Sequence, residues 1–211
     1  MLDKLQQTTE TPRYRIALPV TVMIDVLMAA YEAEMRGKDK RLDKVTLERI
    51  EKVAKFLTSP DYKRSLILCG GIGNGKTTML NAIHRAVKQL KSVEQLAYLW
   101  NLTIFTAERI NEAASMPVST QYQGICTCPW LGIDDLGCES SIVKVYGTER
   151  MPVVDLIYER YKRNPKNYDN PMIITTNLSM SQIAEQYGER VADRLKEMCE
   201  VIVYDNPSFR K

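Results

Sequence analysis

Histidine is almost missing from this chain: one residue, His84, in 211. It lies inside the helix expected after a glycine-rich loop and reads as a packed or half-exposed helix residue. Cysteine is scarce and badly spaced for metal or disulfide chemistry. The five residues, Cys69, Cys126, Cys128, Cys138 and Cys199, are odd in number and include no CxxC pair. Cys126 and Cys128 flank a single residue, which is poor zinc geometry. This pattern argues against a structural zinc and for a reduced, cytoplasmic chain. No stretch approaches about 18 uncharged apolar residues, so no transmembrane helix is expected. The opening "MLDKLQQTTETPRYR" has no apolar signal core, so secretion is not expected. A strong charge of one sign is also lacking. The net charge is +3, and the excess lies within residues 1–64, notably in "RGKDKRLDK" (36–44). That segment reads as a solvated linker between helices, or as a contact for nucleic acid or an acidic partner face. There is no internal repeat and no low-complexity segment.

Glycine is not abundant either, at ten residues, yet four of the ten fall within "GGIGNG" (70–75), followed at once by Lys76, Thr77 and Thr78. Ordering glycine is entropically costly, so such a run implies something that must approach the backbone closely. The stretch fits G-x-x-x-x-G-K-[ST] through Gly70, Gly75, Lys76 and Thr77. The short apolar run "SLILC" (65–69), a buried strand, precedes it. "TTMLNAIHRAVKQL" (77–90), a helix, follows. In that setting the loop is expected to hold ATP. Main-chain amides of Gly70, Gly71, Ile72, Gly73, Asn74, Gly75, Lys76, Thr77 and Thr78 wrap the phosphates where side chains would obstruct them. The helix N-terminus adds positive potential. Lys76 supplies an ammonium for the β- and γ-phosphates, and the Thr77 hydroxyl is the expected Mg²⁺ ligand.

Elsewhere strands and helices alternate. Strands are expected at 65–69, 102–105, 130–134, 171–176 and 200–205. Helices are expected at 19–35, 42–57, 77–90, 107–114 and 151–163, in "SQIAEQYG" and in "ERVADRLKEM". Residues 1–18 read as a polar arm and 138–149 as a loop. This alternation predicts a parallel sheet covered on both faces. The expected organisation is an N-terminal helical extension (1–44) and one α/β domain (45–211).

Two further strand ends carry polar groups. "WLGIDDLG" ends in Asp134, a candidate Mg²⁺ partner, and Asp135, a candidate for polarising the attacking water. "IITTN" ends in Asn177, which either holds that water or caps the next helix. Arg190 and Arg194 are four apart and share a helix face. They are either solvated ion-pair partners of Glu189, Asp193 and Glu197, or arginine fingers reaching a nucleotide on the next subunit. Arg210, in the terminal "SFRK", is a further candidate phosphate contact. Arg160, Lys162, Arg163 and Lys166 lie where cations favour a helix dipole, or contact single-stranded DNA through its phosphates. Tyr122, Tyr146, Tyr158 and Tyr161 are either half-buried helix residues or base-stacking groups.

In order, "GGIGNGKTTMLNAI", "IDDLGCE", "IITTNLS" and "YGERVADRL" resemble the AAA+ ATPases of the DnaC/DnaI helicase-loader and IstB transposition-helper group, over about residues 45–211. The resemblance implies a P-loop NTPase three-layer fold with a five-stranded parallel sheet. It makes Lys76 and Thr77 the Walker A pair, Asp134 and Asp135 the Walker B pair, Asn177 the sensor 1 residue and Arg194 the finger, and it puts Arg210 in a sensor-2-like role. It also implies ATP-controlled assembly on single-stranded DNA as a homo-oligomer, with a replicative helicase or a transposase as partner. Three features depart from the group. Asp135 stands where many members have Glu, setting its carboxylate back by about 1.5 Å, which predicts slow turnover. Residues 1–64 hold no cysteine for the zinc module that some loaders carry. Little chain remains after the fifth strand for a helical lid. Two rivals differ in class. A small-molecule P-loop kinase would need an acceptor pocket, and a non-hydrolysing adaptor would bind ATP without releasing phosphate.

Overall fold

The computed structural model describes residues 14–35, 42–116, 120–140, 142–145, 147–162, 170–206 and 208–209. Five parallel strands form the central sheet: β1 (Ser65–Gly70), β2 (Leu102–Thr106), β3 (Trp130–Leu136), β6 (Met172–Thr176) and β7 (Cys199–Tyr204), in the order β2-β3-β6-β1-β7. All five lie where the apolar runs place them. β1, which feeds the glycine loop, is flanked by β6 and β7, so three strand ends meet around that loop.

Helices cover both faces. On one lie α1 (Val20–Glu34), α2 (Lys44–Thr58) and α3 (Lys76–Leu90); their apolar side chains share a core with Leu66, Leu68, Trp130 and Ile202. On the other lie α4 (Ala107–Ser115), α5 (Thr120–Thr127), α6 (Pro152–Lys162), α7 (Met180–Tyr187) and α8 (Glu189–Met198), around Ile67, Ile133, Leu136 and Ile174. The result is the three-layer α/β fold expected from the sequence.

Local chemistry sets the helix starts. The Asp43 carboxylate accepts from Thr46 N–H (2.7 Å) at α2. The Thr106 hydroxyl accepts from Arg109 N–H (3.1 Å) at α4. At α7, Ser179 and Gln182 form a reciprocal capping box. Ser179 is therefore the cap of α7, and Asn177 is not. The N-terminal α1 packs into the same core as α2 and α3: Met23, Leu27, Ala30 and Tyr31 are buried there. Full burial of a side chain such as Leu27 contributes roughly 1.5–3 kcal/mol.

Residues 138–149, expected as a loop, contain an antiparallel ribbon of β4 (Val143–Val145) and β5 (Thr148–Arg150). Three-residue strands are too short to show alternation in sequence. α5 was not foreseen because it buries only Ile125 and carries Gly124. Arg160 is fully buried, not a DNA contact. Its guanidinium donates to the carbonyls of Cys128 (2.7 Å), Ile125 (3.2 Å), Asn170 (3.2 Å) and Pro171 (3.5 Å). Arg163, Lys166 and Tyr146 lie outside the described residues. Tyr122 is half-buried and donates to the Pro152 carbonyl at 2.8 Å. Among the described residues no helix is long and apolar enough to cross a membrane, and no helix follows β7.

Candidate functional site

The chain leaves β1 at Gly70, turns through residues 71–75 and enters α3 at Lys76. Gly70 has φ +144°, and a Cβ there would stand 2.0 Å from the Tyr204 carbonyl oxygen. Only glycine lets the loop start this close to β7. The first helical bond of α3 runs from Met79 N–H to the Gly75 carbonyl (2.9 Å). The amides of Lys76, Thr77 and Thr78 therefore have no acceptor within the helix, and they point into the turn where an anion is favoured.

Lys76 is 5% exposed. Its ammonium donates to the carbonyls of Gly70 (2.8 Å) and Gly71 (2.6 Å) and to Asn74 Oδ1 (3.0 Å). Burial holds its pKa below the usual lysine range, and the Asp135 and Asp134 carboxylates act in the opposite sense. Asn74, expected only as a nucleotide contact, is 1% exposed. Its amide nitrogen donates to the Tyr204 carbonyl at 2.6 Å, so its side chain ties the loop to β7.

Across the loop, the Thr77 hydroxyl donates to Asp134 Oδ1 at 3.0 Å. A second hydroxyl, Thr175 Oγ1 of β6, donates to the same oxygen at 2.6 Å and accepts from Asp135 N–H at 2.9 Å. Thr175 is fully buried and was not singled out from the sequence. The register explains its place. Ile133 pairs with Ile174 and Leu136 with Thr176, so Asp134 and Asp135 together face one residue, Thr175. This is a β-bulge, and Asp135 has φ +56°. In a regular strand, adjacent side chains point to opposite faces. The bulge lets Ile133 and Leu136, three apart, enter the same core. Asp134 then meets Thr77, and Asp135 reaches the cavity that the loop lines. The apolar spacing in "IDDL" breaks the period of two and was the available sequence signal.

That cavity, about 410 Å³, is lined by Ile72, Gly73, Asn74, Gly75, Lys76, Thr77, Thr78, Asp135, Cys138 and Asn177, and further out by α1, α2 and Phe209. The volume suits a small ligand. The Asn177 amide approaches Cys138 Sγ at 4.0 Å. Burial and the carboxylates of Asp135 and Glu139 push the Cys138 thiol pKa up.

The glycine loop, Lys76, Thr77, Asp134, Asp135 and Asn177 thus come together. Arg190 and Arg194 do not join them. Arg190 is exposed at the start of α8. Arg194 lies 4.2 Å from the Tyr161 ring centroid, donates to the Tyr161 hydroxyl (2.8 Å) and pairs with Glu197 at 3.5 Å. Arg210 lies outside the described residues.

The donor set fits a triphosphate with a hard divalent cation: free amides, one ammonium, and a hydroxyl and carboxylate sharing a hydrogen bond. A model of the AAA domain matches residues 57–205. The chain belongs to this family. This AAA domain also matches a solved structure described as the DnaC helicase loader, with 21% identity and a TM-score of 0.55, over 80% of this chain and 95% of that one. AMPPCP-bound DnaA from Aquifex aeolicus matches with 13% identity and a TM-score of 0.51, over 78% of this chain and 47% of that one. At these identities the likeness is one of fold. A search of curated protein sequences found no match.

Proposed function

We propose that this AAA domain is a slow, magnesium-dependent ATPase that acts as a DnaC-like helicase loader in DNA replication. The observation that supports this most is the bulge in β3, which sets Asp134 on the Thr77 hydroxyl and Asp135 in the cavity that holds Lys76, Thr77 and Asn177. In the proposed reaction, Lys76 gives up its three loop acceptors and donates to the β- and γ-phosphate oxygens of ATP. Thr77 Oγ1 and Asp134 would hold a magnesium ion, which would supply charge neutralisation on the phosphates. Asp135 accepts a hydrogen bond from the attacking water, and the Asn177 amide orients that water. The products are ADP and phosphate. The short side chain of Asp135 favours slow turnover, as suits a switch. ATP is held by Gly70–Thr78, and the protein works in the cytoplasm.

Arg194 stands outside its own cavity, so a catalytic role for it requires a second subunit. Arg190, one turn earlier and exposed, is proposed to contact the same neighbour's nucleotide. The working form is then a homo-oligomer on single-stranded DNA that delivers a replicative helicase. ATPase rate per subunit, measured against protein concentration with and without single-stranded DNA, tests this. The rate is expected to rise with concentration and with DNA, and Arg194→Ala is expected to abolish the concentration dependence. A rate per subunit indifferent to concentration, and unchanged in Arg194→Ala, defeats the trans arrangement. Recovery of a transposase rather than a helicase in affinity capture moves the protein to the IstB-like role.

A further inference from the structure

The turn that follows β3 is held by a carboxylate that the proposed reaction does not use. Glu139 is 7% exposed, and no cation pairs with it among the described residues. A buried carboxylate without a counter-ion is costly unless other donors replace its water. Two neutral donors do so. Gly137 N–H donates to Glu139 Oε2 at 2.9 Å, and the Tyr187 hydroxyl, at the end of α7, donates to Glu139 Oε1. Tyr187 is buried as well. Burial, and then the hydrogen bond to Glu139, push its pKa up, so it remains a proton donor at neutral pH.

These bonds land two residues from Asp135. Asp135 has φ +56°, a conformation that a residue other than glycine keeps only where its surroundings fix it. Thr175 holds its N–H from within the sheet, and Glu139 holds the far side of the turn. Between the two, Cys138 N–H donates to the Asp135 carbonyl at 3.1 Å, and the Thr176 hydroxyl donates to the Leu136 carbonyl at 2.6 Å. The same hydroxyl accepts from Leu178 N–H at 3.1 Å, so the residues on either side of Asn177 are tied to this turn. Gly137 has φ +102°, and a Cβ on it would stand 2.5 Å from Leu178 Cδ1. The Gly137 carbonyl accepts from Gln186 Nε2 at 3.5 Å. α7 thus grips both polar groups of Gly137, the amide through Tyr187 and Glu139 and the carbonyl through Gln186.

Gly188, with φ +94°, joins α7 to α8, which carries Arg190 and Arg194. We propose that Glu139 is a positioning residue for hydrolysis: it holds the turn that aims Asp135 and Asn177 and, through Tyr187, fixes that turn to the α7–α8 arm. It touches no substrate and acts through Gly137. The proposal rests on the reading that Asp135 polarises the attacking water, and the test separates the two. ATPase kinetics with magnesium give kcat, and calorimetry gives ATP affinity, for the wild type, Glu139→Ala, Glu139→Gln and Tyr187→Phe. Glu139→Ala is expected to lower kcat about tenfold while ATP affinity stays within about twofold, because a misaimed water costs rate and not phosphate binding. Glu139→Gln keeps an oxygen for Gly137 N–H and is expected to recover most of the rate. Tyr187→Phe leaves the bond between Glu139 and Gly137 in place and is expected to lower kcat about threefold at unchanged affinity. A wild-type kcat in Glu139→Ala, or in Tyr187→Phe should the alanine variant not fold, overturns the proposal. So does a glutamine variant no faster than the alanine one, and so does a fall in kcat matched by an equal loss of ATP affinity, which would mean that Glu139 only supports the fold. A wild type that turns over no ATP defeats the hydrolysis reading itself, and the role of Glu139 falls with it.

Discussion

Thr175→Val removes one hydroxyl and nearly preserves shape, at a position with 0% exposure. The wild-type oxygen accepts from Asp135 N–H at 2.9 Å and donates to Asp134 Oδ1 at 2.6 Å. In the variant a buried amide loses its acceptor, which costs about 1–3 kcal/mol, and a hydrogen bond to a charged group is lost, worth about 1.5–3 kcal/mol. Allowing for overlap between the two, stability should fall by about 3 kcal/mol. Urea unfolding followed by circular dichroism reads this as a lower midpoint. A second effect separates a site role from a structural one. With Asp134 and the αL turn at Asp135 no longer braced, magnesium-dependent ATP affinity should fall more than magnesium-free affinity. Thr175→Ser keeps the hydroxyl and should recover the magnesium dependence, at the cost of one methyl group. If Thr175→Val unfolds within about 0.5 kcal/mol of the wild type, or if Ser and Val variants show the same magnesium dependence, the bracing account is wrong.

Two other perturbations follow from the same loop. Burial lowers the Lys76 pKa from its ordinary 10.5, and only the ammonium donates to phosphate. ATP affinity measured by calorimetry should therefore decline as pH rises, beginning below the pH at which an ordinary lysine titrates. A flat profile up to that pH would show that Lys76 does not carry the binding. Gly70→Ala forces a Cβ to 2.0 Å from the Tyr204 carbonyl oxygen at φ +144°. It should lower stability by about 3 kcal/mol or more in urea unfolding and abolish ATP binding, whereas a wild-type-like midpoint would contradict the close approach.

The strands were legible because each is a short apolar run bounded by polar residues, and the loop was legible because its chemistry is local. "GGIGNGKTT" needs only a strand before it and a helix after it. The arrangement around the loop was less accessible. That Asp134 and Asp135 share a side depends on a bulge fixed by Thr175, about forty residues away in sequence. The side chain of Asn74 ties the loop to the Tyr204 carbonyl, a link between distant segments that no local pattern encodes. Arg160 looked like a surface cation because its neighbours are polar, yet its partners are carbonyls from two separated segments.

The central claim is that a triphosphate binds the main-chain amides between Gly70 and Thr78 with Lys76 as its cation. Isothermal titration of ATP with magnesium into the wild type and into Lys76→Ala tests it most directly. Saturable binding to one site per chain, weakened at least tenfold or lost in Lys76→Ala, is the predicted result. No heat of binding in the wild type, or equal affinity in the two proteins, would contradict it.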